Sequence, residues 1–334
     1  MNKKSSDIVF PDGACTETCL DFISFKRSIG QMFEGSCIYT LRNICRQMND
    51  VRTDTPMLQK HTALSIARRK GDEAQGTQLN RIRILRELAK YMASMCLDAY
   101  ILPGNFTQKY KYDFKPYIFG QEQIAAVLHV ADNIGHNPIT PYAHFMIPAL
   151  LRVFFYCGLR SFEARSLKTK SVDLADGVLT IEKSKFNISR YVPMSESLTA
   201  YLRKYAETMN FDMSGDELFF PSPTRNVYDE SALRARFRAI MAKAGIAAQS
   251  NGKLPRIHDA RHTFILNSYK KLTGELGLDF YTALPIVAAY VGHTNIRDTE
   301  RYIHLPEFDH SEIVSVGDSV MESCLPEVIF DAES

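Results

Sequence analysis

The sequence has no Cys-x-x-Cys pair among its seven cysteines, and none of them stands at a metal-like spacing from histidine. Disulfide frameworks and zinc sites depend on such spacings, so we expect reduced thiols. The sequence also lacks a run of 18 apolar residues, and its N-terminus has no apolar signal core. These absences argue against a membrane span or a secreted protein and favour a soluble, cytoplasmic one.

Acidic residues are concentrated near the C-terminal end. Residues 303–334 contain eight Asp and Glu residues and no Lys or Arg. Because the whole chain has a formal net charge of +2, the first 302 residues carry +10. An excess of this size suits a polyanion such as DNA, although by itself it is ordinary. The charge alone therefore leaves the partner open.

The first hundred residues predict a loose leader followed by helices. Residues 1–15 mix polar residues, Pro and Gly without a period, whereas 16–102 show apolar patterns typical of helices. The clearest helix, 78–97, has an apolar stripe and basic residues elsewhere. These basic residues are Arg81, Arg83, Arg86 and Lys90. They form either a solvated helix face or contacts to DNA phosphates, and the local pattern does not decide between the two.

A polar segment, 103–116, is expected to link this region to a second domain at 117–304. The second domain changes from helical to strand-like periodicity and back, so the predicted fold class is mainly α with a small antiparallel β-sheet (α+β). Its later helices carry further basic residues, of which Arg234 and Arg238 are candidate DNA contacts. The predicted elements are helices at 121–132 and 142–156, a hairpin formed by 177–182 and 188–193 with lysine at its tip, and helices at 195–209 and 229–245.

Residues 158–163 read GLRSFE and follow a very apolar helix. The glycine loosens the backbone, Arg160 emerges at an apolar junction, and Ser161 is a possible cap for the next helix. An arginine beside so much apolar surface is seldom left unpaired. Its partner is either Glu163, three residues later, or a phosphate.

Residues 256–302 carry the most polar chemistry in the chain. His258 and Arg261 are three residues apart, so they share one face of a helix. A glycine then precedes His293, and Tyr302 follows that histidine by nine residues. Two histidines, an arginine and a tyrosine are the parts of a phosphoryl-transfer site.

In this order, these residues resemble the catalytic signature of the tyrosine recombinase (phage integrase) family. The matching positions are GLRSFE at 158–163, a lysine on the hairpin tip, HDARH at 258–262, GH at 292–293 and Tyr302. The resemblance covers about 117–302. It implies a catalytic domain at 117–304 and a helical core-binding DNA domain at 16–102, which together form a clamp around DNA.

The resemblance implies that DNA strands are cut and rejoined through a 3′-phosphotyrosyl intermediate. Arg160 and Arg261 would clamp the phosphate, because a guanidinium stays charged and its planar fork matches phosphate oxygens. The phenol of Tyr302 would be the nucleophile, and it must lose a proton as it attacks. No cofactor or metal is expected.

The remaining signature residues would move or place protons. His258 would accept the proton of the phenol or orient it, and His293 would donate to a phosphate oxygen. The family's spacing selects Lys185 as the general acid that protonates the leaving 5′ oxygen, and Lys183 is the competing choice.

Other polar residues of these stretches have structural interpretations. Glu163 and Asp259 are expected to fix their own helices, and His262 to pack or cap locally. Tyr281 and Tyr290 lie in a segment apolar enough to be core, which makes them weaker nucleophile candidates than Tyr302.

The resemblance further implies double-stranded DNA with specific recombination sites as the partner, and a homotetramer on synapsed DNA. No membrane partner is expected, and accessory proteins stay open. The acidic segment 305–334 has an apolar stripe that could dock on a neighbouring subunit. We expect an integrase or transposase of a mobile element. The alternatives are Xer-like resolution of replicon dimers, a type IB topoisomerase, and a non-catalytic DNA-binding protein on the same fold.

Overall fold

The computed structural model describes residues 8–31, 33–106, 116–182, 189–248, 252, 254–293 and 295–300. The chain divides into two units, Met1–Asp113 and Phe114–Ser334, and each has its own apolar core. The architecture is mostly helical with a small antiparallel sheet, which confirms the predicted fold class. The functions assigned to the two domains stay predictions at this point.

Helices that pack their apolar stripes together form the first unit. In the longest of them, the buried residues Ile82, Leu85, Ala89 and Met92 are spaced three or four apart. One face of this helix therefore points into the core, as the sequence predicts. The helices described in this unit are α1 (Thr16–Ser28), α2 (Ser36–Asn49), α3 (Lys60–Ala67) and α4 (Gln75–Ser94).

The segment just before α1 is not a loose leader over its described part, residues 8–15. Phe10 and Cys15 are buried in the core of the first unit. The side chain of Asn49, the last residue of α2, accepts a hydrogen bond from the backbone N–H of Cys15 at 2.9 Å and donates to the carbonyl of Pro11 at 3.3 Å. The expectation of a flexible leader is therefore wrong for this part, because a distant side chain satisfies its polar backbone groups.

A largely apolar helix lies within the second unit. This helix, α6, buries 11 of its 15 residues, because α5, α8 and α10 pack against it. A sequence that is apolar on most sides is typical of a helix that is buried on most sides. The helices described in this unit are α5 (Gln121–Asp132), α6 (Ala143–Cys157), α7 (Ser161–Arg165), a 3-10 turn (Thr169–Ser171), α8 (Glu196–Met209), α9 (Glu230–Lys243), α10 (Ile257–Gly274), α11 (Phe280–Val291) and α12 (Arg297–Glu300).

The sheet of the second unit has three antiparallel strands, β1 (Val172–Asp173), β2 (Val178–Ile181) and β3 (Arg190–Pro193), in that order. The hairpin of β2 and β3 confirms the predicted pair of strands. Strand β1 was not predicted, since two residues are too few to show an alternation. The hairpin tip, with both lysine candidates, lies outside the described residues.

Three further features concern thiols, metals and membranes. All cysteines in the described part of the chain are free thiols. Among the described residues, no group of three or more His, Cys, Asp or Glu side chains is placed to hold a metal ion. None of the described helices combines the length and the apolar character that crossing a bilayer requires.

Candidate functional site

The C-terminal end of α11 organises the site. Gly292 follows the helix with a left-handed φ of +68°, and the N–H groups of Gly292 and His293 bond back to carbonyls of the last turn at 3.1 and 2.9 Å. This pair of bonds is a Schellman motif, in which glycine is favoured because it adopts positive φ without strain. A Cβ on Gly292 would also lie 2.9 Å from the guanidinium of Arg190. Both the backbone and its neighbour therefore require glycine here.

Three arginines converge on the carbonyls at this helix end. The guanidiniums of Arg190, Arg261 and Arg160 donate hydrogen bonds to the carbonyls of residues 290, 291 and 292, at 2.9, 2.7 and 2.7 Å respectively. The last carbonyls of a helix have no partner within the helix and carry partial negative charge, so they favour cations. One helix terminus thus gathers three positive charges from separate parts of the second unit.

A buried carboxylate, Glu163, links two of these arginines. Its Oε1 accepts from Arg160 at 2.7 Å and from Arg190 at 3.2 Å, and its Oε2 accepts from the backbone N–H of Arg160 at 3.0 Å and from Arg190 at 2.8 Å. Burial opposes ionisation, but the hydrogen bonds and charge of Arg190 and then Arg160 outweigh it and lower the pKa of Glu163 to about 2. Glu163 fixes the first turn of α7 as expected, whereas Arg160 rather than Ser161 occupies the N-cap position.

Arg261 joins the ends of two buried helices. It lies in the second turn of α10 and is 1% exposed. Besides its bond to the end of α11, it donates to the carbonyl of Gly158 at 2.6 Å. Gly158 follows α6 with a φ of +59°, and a Cβ there would lie 2.9 Å from Cγ of Phe264 and still closer to its Cδ1. The glycine of the GLR motif therefore lets α6 end against α10, where Arg261 reaches its carbonyl.

The histidines near this cluster are held in the neutral form. The rings of His258 and His262 are 4.6 Å apart, centroid to centroid. Desolvation, then the neighbouring His262 ring and the charges of Arg261 and Arg256, lower the pKa of His258 to about 3, although the residue is solvent-exposed. Desolvation also lowers the pKa of His262 to about 3, with the charges of Arg256 and Arg261. A bound anion would act in the opposite direction, because an opposite charge favours the protonated ring.

His293 directly follows the glycine cap of α11 and has a defined partner. Its Nδ1 is 2.7 Å from the hydroxyl of Thr299, a buried residue of the short helix α12. Desolvation, then the charges of Arg261 and Arg160, lower the pKa of His293 to about 3. The neighbouring guanidiniums therefore disfavour a further positive charge until an anion enters.

Four of the six predicted catalytic residues lie together in the described part of the site: Arg160, His258, Arg261 and His293. The other two, Lys185 and Tyr302, lie outside the described residues, as does the competing Lys183. Asp259 fixes the start of α10 as expected, since it accepts the backbone N–H of Arg256 at 2.6 Å.

The two alternative tyrosines occupy different environments. Tyr290 donates its hydroxyl proton to the carbonyl of Pro193 at 2.7 Å, and burial raises its pKa well above the ordinary value. This environment disfavours a phenolate. Tyr281 is 83% exposed, so the expectation that it belongs to the core is wrong. It lies in the first turn of α11, which the apolar composition of the segment does not distinguish from the buried turns.

Arg190 belongs to the cluster but has no clear signal in the sequence. Its side chain is 8% exposed and is bonded to Glu163, 27 residues earlier, and to the carbonyl of Tyr290, 100 residues later. Contacts between residues so far apart in the chain leave no pattern in the sequence around Arg190. The available signal was weak: Arg190 begins the second strand of the hairpin, directly opposite Ile181, a position that favours an apolar residue.

One candidate DNA contact of the first unit is not a surface residue. Arg81 is 8% exposed, donates to the carbonyls of Ile66 and Arg68 at 2.8 and 2.9 Å, and forms an ion pair with Glu73. These bonds satisfy backbone groups at the end of α3. The expectation that Arg81 contacts phosphate is therefore wrong.

The other candidate DNA contacts differ in exposure. Arg86 is half-buried and donates to the carbonyls of Leu102 and Pro103 at 3.0 and 2.8 Å, which ties α4 to the segment after it. The remaining candidates are exposed, and their contact with DNA stays a prediction. They are Arg83, Lys90, Arg234 and Arg238.

Comparisons with known proteins agree with this geometry. Residues 119–307, more than half of the chain, match the Phage integrase family. The "Putative integrase/recombinase y4rB" of Sinorhizobium fredii (strain NBRC 101917 / NGR234) is 28% identical over 295 residues, which cover 85% of this chain and 90% of that protein.

Two solved structures share the fold. The XerH site-specific recombinase bound to difH substrate, a pre-cleavage complex, matches with a TM-score of 0.60 and 17% identity, over 94% of this chain and 99% of that one. A lambda integrase tetramer bound to a Holliday junction matches with a TM-score of 0.56 and 15% identity, over 86% and 76%. With the family match extending from α5 through the arginine cluster to the last described helix, the chain belongs to the phage integrase family of tyrosine recombinases.

Proposed function

We propose that this chain is a site-specific DNA recombinase that cuts and rejoins DNA strands through a 3′-phosphotyrosyl intermediate. The gathering of Arg160, Arg190 and Arg261 at the end of α11, beside two histidines, is the observation that carries the proposal. A phosphodiester is negatively charged, and more charge collects on its nonbridging oxygens as phosphorus becomes five-coordinate. Cations fixed in advance stabilise that charge without reorganising during the reaction. Membership of the recombinase family supports DNA as the substrate.

The two guanidiniums of the predicted clamp have different tasks. The side chain of Arg160 is 20% exposed, so it can bond to a phosphate oxygen directly. Arg261 is buried and supplies its charge from within the core while it holds the ends of α6 and α11. The stronger fields inside a low-dielectric site make such a buried charge effective.

The neutral histidines suit the transfer of protons. A base must be unprotonated before it accepts a proton, and His258 is neutral at neutral pH. The negative charge of a bound phosphate would raise its pKa from this low value, which makes the ring a stronger proton acceptor once DNA is in place. His293 bonds to Thr299 through Nδ1. In the tautomer in which Nδ1 accepts the hydroxyl proton, Nε2 carries a hydrogen that can be donated to a phosphate oxygen.

The covalent step follows from these roles. The phenol oxygen of Tyr302 attacks phosphorus and gives its proton to His258, and the bond from phosphorus to the 5′ oxygen breaks. Lys185 gives a proton to that leaving oxygen. The phosphotyrosyl bond keeps the energy of the broken phosphodiester, so the 5′-hydroxyl of another strand can attack it and restore the DNA. Neither ATP nor metal is required by this balance.

The decisive experiment uses nicked suicide DNA, which traps the covalent adduct. Tyr302→Phe should bind DNA with near-normal affinity and form no adduct, since it loses only the nucleophilic oxygen. An adduct in this variant would place the nucleophile elsewhere. Absence of an adduct in the unaltered protein, with DNA bound, would favour a non-catalytic DNA-binding protein.

The general acid needs its own test. Lys185→Ala should slow cleavage, and a better leaving group at the 5′ position should restore it, because such a group departs without a proton. Lys183→Ala is the matched control and should remain active on ordinary DNA. The opposite pattern would assign the acid to Lys183.

For the biological role, we propose integration or transposition of a mobile element. The name of the Sinorhizobium relative, an integrase/recombinase, supports this role, and Xer-like resolution of replicon dimers is the second candidate. Mapping the cleaved sites to the nucleotide would separate the two roles. Relaxation of supercoiled DNA without a paired site would instead indicate a topoisomerase.

We propose a homotetramer on synapsed sites, in which residues 305–334 dock on a neighbouring subunit. The tail's eight acidic residues and apolar stripe complement a body of net charge +10. Deletion of 305–334 should weaken the two-protomer complex on DNA more than the one-protomer complex, measured by gel shift. Equal losses in both complexes would argue against docking between subunits.

A further inference from the structure

We propose that Arg190 is a positioning residue for strand cleavage: it offsets the charge of Glu163, so that Arg160 keeps its positive charge available to the DNA phosphate. This inference rests on the proposed function. Arg190 is 8% exposed at its side chain and bonds to protein groups, so it acts through Arg160 rather than on DNA.

The four hydrogen bonds to Glu163 are shared evenly between two arginines. Each carboxylate oxygen accepts one bond from Arg160 and one from Arg190, at distances from 2.7 to 3.2 Å. Without Arg190, half of these bonds would be lost from a carboxylate that is 7% exposed. Glu163 would then hold Arg160 more tightly, because Arg160 alone would have to offset the cost of burying the carboxylate charge.

The charge balance gives the functional consequence. Glu163 with Arg160 alone forms a neutral pair, which offers little attraction to a phosphate. With Arg190 added, the same three side chains carry a net charge of +1. The favourable energy of a phosphate oxygen at Arg160 depends on that remaining charge.

Arg190 sets the position of Arg160 as well as the net charge around it. Arg190 donates to the carbonyl of Tyr290 at 2.9 Å and packs so closely against Gly292 that a Cβ there would lie 2.9 Å from its guanidinium. Arg160 donates to the carbonyl of that same Gly292 at 2.7 Å. A shift of Arg190 would therefore move the acceptor that orients Arg160.

The test compares rates of adduct formation on suicide DNA at saturating protein. We expect Arg190→Gln to lower the rate on the order of tenfold to a hundredfold, less than the ~10²–10³ lost when a direct transition-state donor is removed. DNA affinity should change little. Arg190→Lys keeps a charge beside Glu163 but not the planar fork, so its rate should lie between those of the Gln variant and the unaltered protein.

A double variant separates charge balance from simple structural support. In Glu163→Gln/Arg190→Gln the carboxylate charge is gone, so Arg160 should recover its attraction for phosphate and the rate should exceed that of Arg190→Gln alone. A merely structural role predicts a double variant no faster than the single one, and that result would overturn the proposal. Arg152→Gln is the control, since Arg152 also forms a two-bond ion pair, with Asp132 at 2.7 and 2.8 Å, but not with the carboxylate that Arg160 uses.

The outcomes also distinguish this inference from the function it rests on. No adduct in the unaltered protein rejects the function. A normal adduct together with a normal rate for Arg190→Gln rejects only the role of Arg190. If thermal unfolding shows that Arg190→Gln does not fold, Arg190→Lys carries the test. A Lys variant that folds but is as inactive as Tyr302→Phe would contradict the charge role.

Discussion

Replacing Gly158 with alanine would test how the end of α6 sets up the arginine cluster. The residue has a φ of +59°, and a Cβ there would lie 2.9 Å from Cγ of Phe264 and 3.2 Å from its Cβ. Phe264 is 3% exposed and belongs to a packed core, so it cannot move away freely. The carbonyl of Gly158 also accepts the bond from Arg261 at 2.6 Å. A substitution here therefore affects both folding and the site.

The loss of stability expected for Gly158→Ala has two parts, and Gly245→Ala is the control that measures one of them. Gly245 also follows a helix, at a φ of +70°, but a Cβ there would meet nothing within 4 Å. Left-handed backbone costs an alanine ~1–2 kcal/mol, which is the whole expected effect at Gly245. Overpacking adds about 1–3 kcal/mol, so Gly158→Ala should lower the free energy of unfolding by ~2–5 kcal/mol in total.

Urea denaturation of both variants measures these free energies, and adduct formation on suicide DNA measures the site. Gly158→Ala should lose stability well beyond Gly245→Ala and should also form the adduct more slowly, since the carbonyl that holds Arg261 is displaced. Gly245→Ala should keep the unaltered rate. Two variants that agree within ~0.5 kcal/mol would refute the steric argument about Phe264.

Three further predictions concern other regions. Arg81→Met should lower the free energy of unfolding by about 1–3 kcal/mol in urea, since the carbonyls at the end of α3 lose their donor, whereas Lys90→Ala should spare stability and reduce the salt dependence of DNA binding. Asn49→Ala should cost about 1–3 kcal/mol in the same assay, because backbone groups of the preceding segment lose their partner. The folded-state pKa of His293, about 3 against the ordinary 6.5, means that the unfolded chain binds its proton first. Stability should therefore fall as the pH is lowered from about 6.5 towards 3, and His293→Gln should reduce that slope in urea titrations at several pH values.

Periodicity and local helix-ending signals account for what the sequence predicted well. The stripe of α4 follows from spacing, because every third or fourth side chain shares a face, and the burial of α6 follows from its largely apolar composition. The glycines of GLRSFE and of the Gly-His pair end α6 and α11, where positive φ is needed. Polar residues just after such helix ends are placed by the cap itself, which explains why Arg160 and His293 were found from short motifs.

Contacts across long stretches of chain account for the misses. Arg81 stands on the basic side of a helix by spacing, yet it is buried because free carbonyls at the end of α3 lie within its reach. Asn49 holds a segment more than 30 residues earlier in the chain. In both cases, unsatisfied backbone groups determined the position of a polar side chain, and the sequence does not show where those groups come together.

The use of backbone carbonyls to hold arginines has a consequence for a site that binds an anion. A guanidinium and the carboxylate that holds it form a pair with no net charge. A guanidinium held by a carbonyl keeps its positive charge uncompensated, because the carbonyl is neutral overall. At the end of α11, carbonyls accept from three arginines, and the carboxylate of Glu163 is shared by two of them. The described cluster is thereby rigid and still strongly positive. A helix C-terminus, which on its own repels a phosphate, becomes part of a phosphate site because it orders the cations that attract one.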